Sequence, residues 1–277
     1  MTEQIFFDIQ AGMLLITHPT IISDTSHKVD KKLVCRQFRR AAESYDDQAA
    51  VQYRTANRLL ELLEQYGRGH YQRVLEIGCC TGLLTRKLIS QDKGIKELVL
   101  NDLVPDFADR MAGTGHFPAL TFLPGDIESV QLPGSFDLII SSSTFHWLHD
   151  LDSLLARLVE RLNPGGILLF SLYGPDNLQE IKSLTGIGLD YCTFQQVQAM
   201  VRQYCTLDHS SQQRHVFDFA TPQAVLTHLR QTGVNAVSGT PWTREDLRYF
   251  CREYTRRFQS SQHVQLTYHP LYFVAHK

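Results

Sequence analysis

The chain has 277 residues, 43% of them hydrophobic and 20% charged, with a net charge of −2. That is enough apolar material for a full core, and it excludes a disordered chain. The near-neutral balance argues against a basic field spread over the molecule for nucleic acid.

Residues 1–27 carry an apolar patch over 11–22, interrupted by His18 and Pro19, with no basic segment before it. This predicts an N-terminal extension rather than a secretory signal, with a single domain over 28–277. No apolar run approaches the roughly 18 residues of a membrane span. The six cysteines form no C-x-x-C pair, so neither a metal site nor a disulfide framework is expected, and the simplest setting is cytoplasmic.

Residues 28–66 read as N-terminal cap helices. The first stretch is basic, with Lys31, Lys32, Arg36, Arg39 and Arg40, and a second helix spans 49–66. The basic run is either a solvated face or a docking surface for an acidic partner. After Gly67-Arg68-Gly69, strands and helices alternate through a core at 70–175. Strands are expected at 73–77, 97–101, 120–123, 136–141 and 167–172. Helices are expected at 82–90, 105–112 and 151–162, and Asn163-Pro164-Gly165-Gly166 reads as a turn. Residues 176–206 read as an insertion or lid, two short helices around Gly186. The remainder, 207–277, offers strands at 213–219 and 264–275 and helices at 221–231 and 244–258. The fold class is α/β.

The chemistry gathers at strand ends. The stretch Arg73-Val74-Leu75-Glu76-Ile77-Gly78-Cys79-Cys80-Thr81-Gly82 is a strand running into a glycine-flanked turn and a helix start. Gly78 and Gly82 let a ligand approach the main chain, and Glu76 can meet a cation or hydroxyl. A dinucleotide fits poorly, because Cys80 and Leu83 hold the second and third glycine positions of G-x-G-x-x-G. Asp102 ends the second strand, where a carboxylate accepts from ribose hydroxyls. Asp126 and Ile127 follow the third, suited to an adenine amine and ring face. No phosphate-binding G-x-x-x-x-G-K-[ST] is present, so the implied ligand is an adenosine without phosphates, S-adenosylmethionine.

The stretch from Val74 to Gly82 resembles motif I of class I S-adenosylmethionine-dependent methyltransferases. Asp102 resembles their second acidic residue, and Asp126-Ile127 their adenine pair. A narrower resemblance is to the malonyl-acyl-carrier-protein O-methyltransferases of biotin synthesis. It rests on Phe38-Arg39-Arg40-Ala41-Ala42-Glu43-Ser44-Tyr45, Gly125-Asp126-Ile127-Glu128-Ser129, Ser141-Ser142 with Phe145-His146-Trp147, Gly174-Pro175-Asp176-Asn177-Leu178 and Leu266-Thr267-Tyr268-His269. Three positions depart from it: Cys80 stands for a glycine, Ser142 for asparagine and His146 for glutamine.

The resemblance implies a Rossmann-like, seven-stranded, mostly parallel sheet with an antiparallel last strand, helices on both faces, N-terminal helices and a lid after the fifth strand. It implies methyl transfer from S-adenosylmethionine to the free carboxylate of a malonyl thioester on acyl carrier protein. Cofactor residues would be Arg40, Tyr45, Glu76, Gly78, Cys79, Gly82, Asp102, Leu103, Asp126, Ile127 and Ser142. No general base is needed, since a carboxylate of pKa about 4 is already ionised at neutral pH. Candidates to orient the substrate are Tyr191, Arg202, Arg214 and Tyr268, and candidates to dock the acidic carrier are Lys31, Lys32, Arg36, Arg256 and Arg257. A methyltransferase for another small acid or a quinone, or a cofactor-binding assembly factor, would share the same turn.

Overall fold

The computed structural model describes residues 29–91, 93–111, 119–234 and 242–277. The expected extension at 1–27, and the helix ends expected at Lys28 and Ala112, lie outside the described residues.

The N-terminal segment forms α1 (Lys31–Ala41), α2 (Tyr45–Gln48) and α3 (Ala50–Tyr66). Asp30 starts α1 by accepting from the Lys32 and Leu33 amides at 2.9 and 3.1 Å. The core follows as β1 (Arg73–Ile77), α4 (Leu83–Ser90), β2 (Glu97–Asp102), α5 (Phe107–Met111), β3 (Leu120–Pro124), β4 (Phe136–Ser141), a single 3-10 turn at Phe145–Trp147, α6 (Leu151–Glu160) and β5 (Leu162–Tyr173). The rest is α7 (Gln179–Thr185), α8 (Phe194–Tyr204), β6 (Thr206–Gln212), β7 (His215–Phe219), α9 (Pro222–Gln231), α10 (Arg244–Phe258), β8 (Gln259–Ser260), β9 (His263–Tyr268) and β10 (Pro270–His276).

Seven strands form one sheet in the order β3-β2-β1-β4-β5-β10-β6. It is parallel from β3 to β5, and β10 runs antiparallel to both its neighbours. The chain moves outward from β1 to β3 and returns beside β1 as β4. The C-terminal ends of β1 and β4 therefore flank the switch point, where open α/β sheets bind ligands.

Alternation within each strand sends side chains to two cores. Leu75 and Ile77 pack with α6 and α8, while Val74 packs with α3 and α4. Leu151, Leu154, Leu155, Leu158 and Val159 form the buried stripe of α6, each large side chain contributing about 1.5–3 kcal/mol. Strands covered on both faces explain the near-continuous apolar runs.

The structure departs from the sequence reading in three places. The expected turn at 163–166 lies within the span of β5: Gly165 takes a left-handed φ of +70°, and Gly165 and Gly166 bond to the backbone of Lys277. β6 was not anticipated, because Thr-Leu-Asp-His-Ser-Ser-Gln is polar and is held as an edge strand by β10. The expected strand at 264–275 is two strands broken at His269-Pro270, with β9 joining β7 and β8 in a separate three-stranded sheet. α8 packs into the main core, with Val197 and Val201 fully buried under the sheet. Within 176–206, α7 and the loop leading to Tyr191 do not join that core. A third core joins them to α9, α10 and the small sheet.

Candidate active site

The turn after β1 is built tightly. Gly78 and Gly82 have φ of +72° and +86°, and a Cβ on Gly78 would fall 2.0 Å from Thr144 Oγ1. The turn after β1 and the loop after β4 therefore touch. Cys80 also adopts a left-handed backbone, φ +49°, which costs a non-glycine residue roughly 1–2 kcal/mol. Burial pushes the Cys79 and Cys80 thiols well above their ordinary range, so neither is a nucleophile at neutral pH. The Cys80→Gly variant is expected to bind S-adenosylmethionine several-fold more tightly by calorimetry; weaker binding would show that the thiol contributes to the site. Any gain in stability should stay below about 1 kcal/mol, because glycine also frees the unfolded chain.

Asp102 clamps this turn. Its Oδ2 accepts from the Cys80 amide and its Oδ1 from the Val104 amide, both at 2.8 Å. Burial lifts its carboxyl to about 6 despite those donors. Glu76 is also buried, and burial pushes its carboxyl to about 8, opposed by Thr85. Glu76 Oε2 has no hydrogen-bond partner among the described residues, so the strand end presents a desolvated acid to any arriving cation.

α1 and α2 pack over this turn. Tyr45 is buried beside Cys80 and Asp102, where desolvation raises its phenol well above the usual range. Leu33 and Val34 pack with Leu103, Trp147 and Leu189. The Ser142 carbonyl accepts from the Thr144 hydroxyl at 3.2 Å. Ile127 was expected over a ring face, but its side chain is buried in the core against α6. Arg40, expected at the cofactor, is exposed on α1 with no ion pair among the described residues.

Lys31 was expected on a docking surface, and the structure places it elsewhere. Its ammonium donates to Asp126 Oδ1 at 3.0 Å and to Glu128 Oε2 at 2.6 Å. Lys31 thus ties α1 to the end of β3. Lys32 and Arg36 are exposed without an acidic partner among the described residues. Arg256 and Arg257 both reach Glu253, one turn earlier in α10.

A cavity of 620 Å³ is walled by the Phe145–Trp147 turn, α7, the loop to Tyr191, α9, and Trp242 and Leu247 at the start of α10. Of the four substrate-orienting candidates, only Tyr191 lines it. Tyr191 OH accepts from Asn177 Nδ2 at 2.8 Å, which leaves its own proton to donate. Burial raises that phenol to about 12, so it remains protonated at neutral pH. Arg202 is exposed on α8, Arg214 pairs with Asp176, and Tyr268 is buried with its hydroxyl 2.8 Å from His228 Nε2. The wall includes three residues that sequence reasoning did not select: His146, Lys182 and Arg230. Lys182 donates to the Leu189 carbonyl and Asp190. The Arg230 guanidinium has no acidic partner among the described residues. Only His146 had a sequence signal, its place just before Trp147 after the fourth strand.

Residues 75–170 match the model of a methyltransferase domain family. Two full-length relatives go further. The malonyl-[acyl-carrier protein] O-methyltransferase of Calditerrivibrio nitroreducens is 38% identical over 87% of this chain and 94% of its own. That of Haemophilus ducreyi is 37% identical over 88% and 96%. The chain belongs to the malonyl-[acyl-carrier protein] O-methyltransferase family. It is an S-adenosylmethionine-dependent O-methyltransferase.

The fold alone would not have decided this. YcgJ of Bacillus subtilis superposes with a TM-score of 0.55 at 16% identity, covering 80% of this chain and 98% of its own. The [4+2]-cyclase SpnF superposes with 0.51 at 17% identity, covering 80% of each. The residues at the switch point fit the family's cofactor: an unsatisfied buried Glu76 oxygen suits an ammonium, and Asp102 suits vicinal hydroxyls. No helix of the described residues is long and apolar enough to cross a membrane.

Proposed function

We propose that this enzyme methylates the free carboxylate of a malonyl thioester carried by acyl carrier protein. One observation carries the reading: the cavity abuts the loop after β4, whose Thr144 touches the cofactor turn at Gly78. An acceptor in the cavity would thereby meet the cofactor cleft.

In this account Glu76, Gly78, Cys79, Gly82 and Asp102 hold the cofactor, roofed by Tyr45 and Leu103. S-adenosylmethionine supplies an electrophilic methyl on a sulfonium. The acceptor oxygen takes the methyl, and the products are the malonyl methyl ester and S-adenosylhomocysteine. The acceptor is already an anion at neutral pH, so the protein need not remove a proton. Its contribution is alignment, worth up to about 7–11 kcal/mol in favourable cases, and exclusion of water by the 176–191 lid. Tyr191 donates to the acceptor from the lid side.

Lys32 and Arg36 form the exposed positive edge of α1 and are the docking contacts for the acidic carrier. Reversing both charges is expected to raise KM for malonyl-carrier protein about tenfold. Turnover of a malonyl-pantetheine thioester, which has no protein to dock, should not change. Such contacts are salt-sensitive, so the difference should shrink at high ionic strength. Equal KM values for the reversed and parent enzymes on malonyl-carrier protein would favour an enzyme of small acids.

A further inference from the structure

We infer that His146 is a substrate-positioning residue, donating a ring N–H to the carboxylate of the acyl acceptor in the cavity. The inference rests on the reading of the cavity as the acyl site.

His146 sits at the seam between the two halves of the site. It lies two residues after Thr144, the side chain that fills the space over Gly78. It also lines the cavity on the other side. Three rings fix its plane: Trp147, Tyr173 and Tyr191, with centroids at 5.1, 4.8 and 6.3 Å. Yet His146 Nδ1 is buried with no hydrogen-bond partner among the described residues. A buried polar atom left unpaired is costly, and such groups call for an explanation such as a ligand. Here the unpaired atom belongs to a cavity-lining side chain, and a small shift of the ring towards an acceptor in the cavity would supply the missing partner.

The chemistry suits a neutral donor. Burial pushes the imidazole down to about 3, so the ring is uncharged at any working pH. A cationic clamp would draw electron density from the carboxylate and blunt its attack on the methyl. One neutral N–H orients one oxygen and leaves the other nucleophilic. Tyr191, whose ring centroid lies 6.3 Å from that of His146, carries a second uncharged donor on the same wall. The arrangement thus holds an anion by aimed dipoles rather than by opposite charge.

The test uses the full chain with S-adenosylhomocysteine bound and malonyl-pantetheine as the probe. Imidazole 15N–1H NMR should show the His146 resonance moving on saturation, with the ring remaining neutral. The His146→Leu variant should bind S-adenosylhomocysteine as the parent does, which also reports that it is folded. It should raise KM for malonyl-pantetheine roughly tenfold to a hundredfold, the range expected for losing one hydrogen bond to a charged group. The His146→Gln variant, which keeps an N–H donor, should recover most of that loss. Probe binding without movement of the His146 signal, or equal KM values for the Leu and parent enzymes, would overturn the assignment while leaving the acyl site intact. No probe binding by the parent enzyme would overturn both.

Discussion

The Asp102→Ala variant is expected to lose S-adenosylmethionine affinity by a hundredfold or more. Two effects add. The carboxylate is the acceptor for the ribose hydroxyls in the proposed mode, and hydrogen bonds to a charged group contribute about 1.5–3 kcal/mol each. It also holds the Cys80 and Val104 amides, so its removal loosens the turn the ligand must meet. The Asp102→Asn variant keeps the shape and removes the charge, and its loss should be smaller. Calorimetry separates the two.

The same residue sets a pH dependence. Its carboxyl is raised from 3.8 to about 6 in the folded chain, chiefly by burial. Between those values the ligand-free folded chain holds a proton that the unfolded chain has lost. The contribution of Asp102 to stability therefore falls as pH rises through this window, by about 3 kcal/mol at roughly 1.4 kcal/mol per unit. Cofactor binding runs the other way, because only the ionised form accepts two hydroxyls. Affinity should weaken by up to about tenfold per unit below pH 6, and Asp102→Asn should flatten that profile. A parent profile without an inflection between pH 5 and 7 would contradict the role.

The second large effect is expected at Gly78. An alanine Cβ there would lie 2.0, 2.7 and 2.8 Å from Oγ1, Cγ2 and Cβ of Thr144, at φ +72°. Rotating the threonine cannot clear a clash that includes its Cβ. The left-handed backbone costs about 1–2 kcal/mol and the overpacking about 1–3 more. The Gly78→Ala variant should melt on the order of 10 °C lower and lose cofactor binding. At Gly82 the nearest atoms are Cε and Sδ of Met111, at 2.6 and 2.9 Å. The far end of that flexible chain can yield, so Gly82→Ala should be the milder of the two. Equal effects at both positions would mean that backbone strain alone, and not the Thr144 contact, governs the turn.

The placement of candidate residues at the ends of β1 and β2 was legible in the sequence. Glu76, Gly78, Gly82 and Asp102 are each fixed by a strand whose apolar run announces it, and strand ends in such a sheet converge. What long-range contacts decide was not legible. Lys31 looked like one basic residue among several, yet its partners lie 95 and 97 positions away. β6 has no apolar pattern of its own and exists because β10 offers it a ladder. The different packing of α7 and α8 was not legible either, since only long-range contacts send α8 beneath the sheet. The cavity-lining residues come from four separated segments, and no spacing rule links His146, Tyr191 and Arg230.

The central claim is methyl transfer to the carboxylate of a carrier-bound malonyl group. Its most direct test is the intact mass of malonyl-acyl carrier protein after incubation with the enzyme and S-adenosylmethionine, with acetyl-carrier protein as the control. The account predicts that the malonyl carrier gains one methyl and the acetyl carrier, lacking a free carboxylate, gains none. An unchanged malonyl carrier with S-adenosylmethionine bound to the enzyme, or methylation of both carriers, would contradict it.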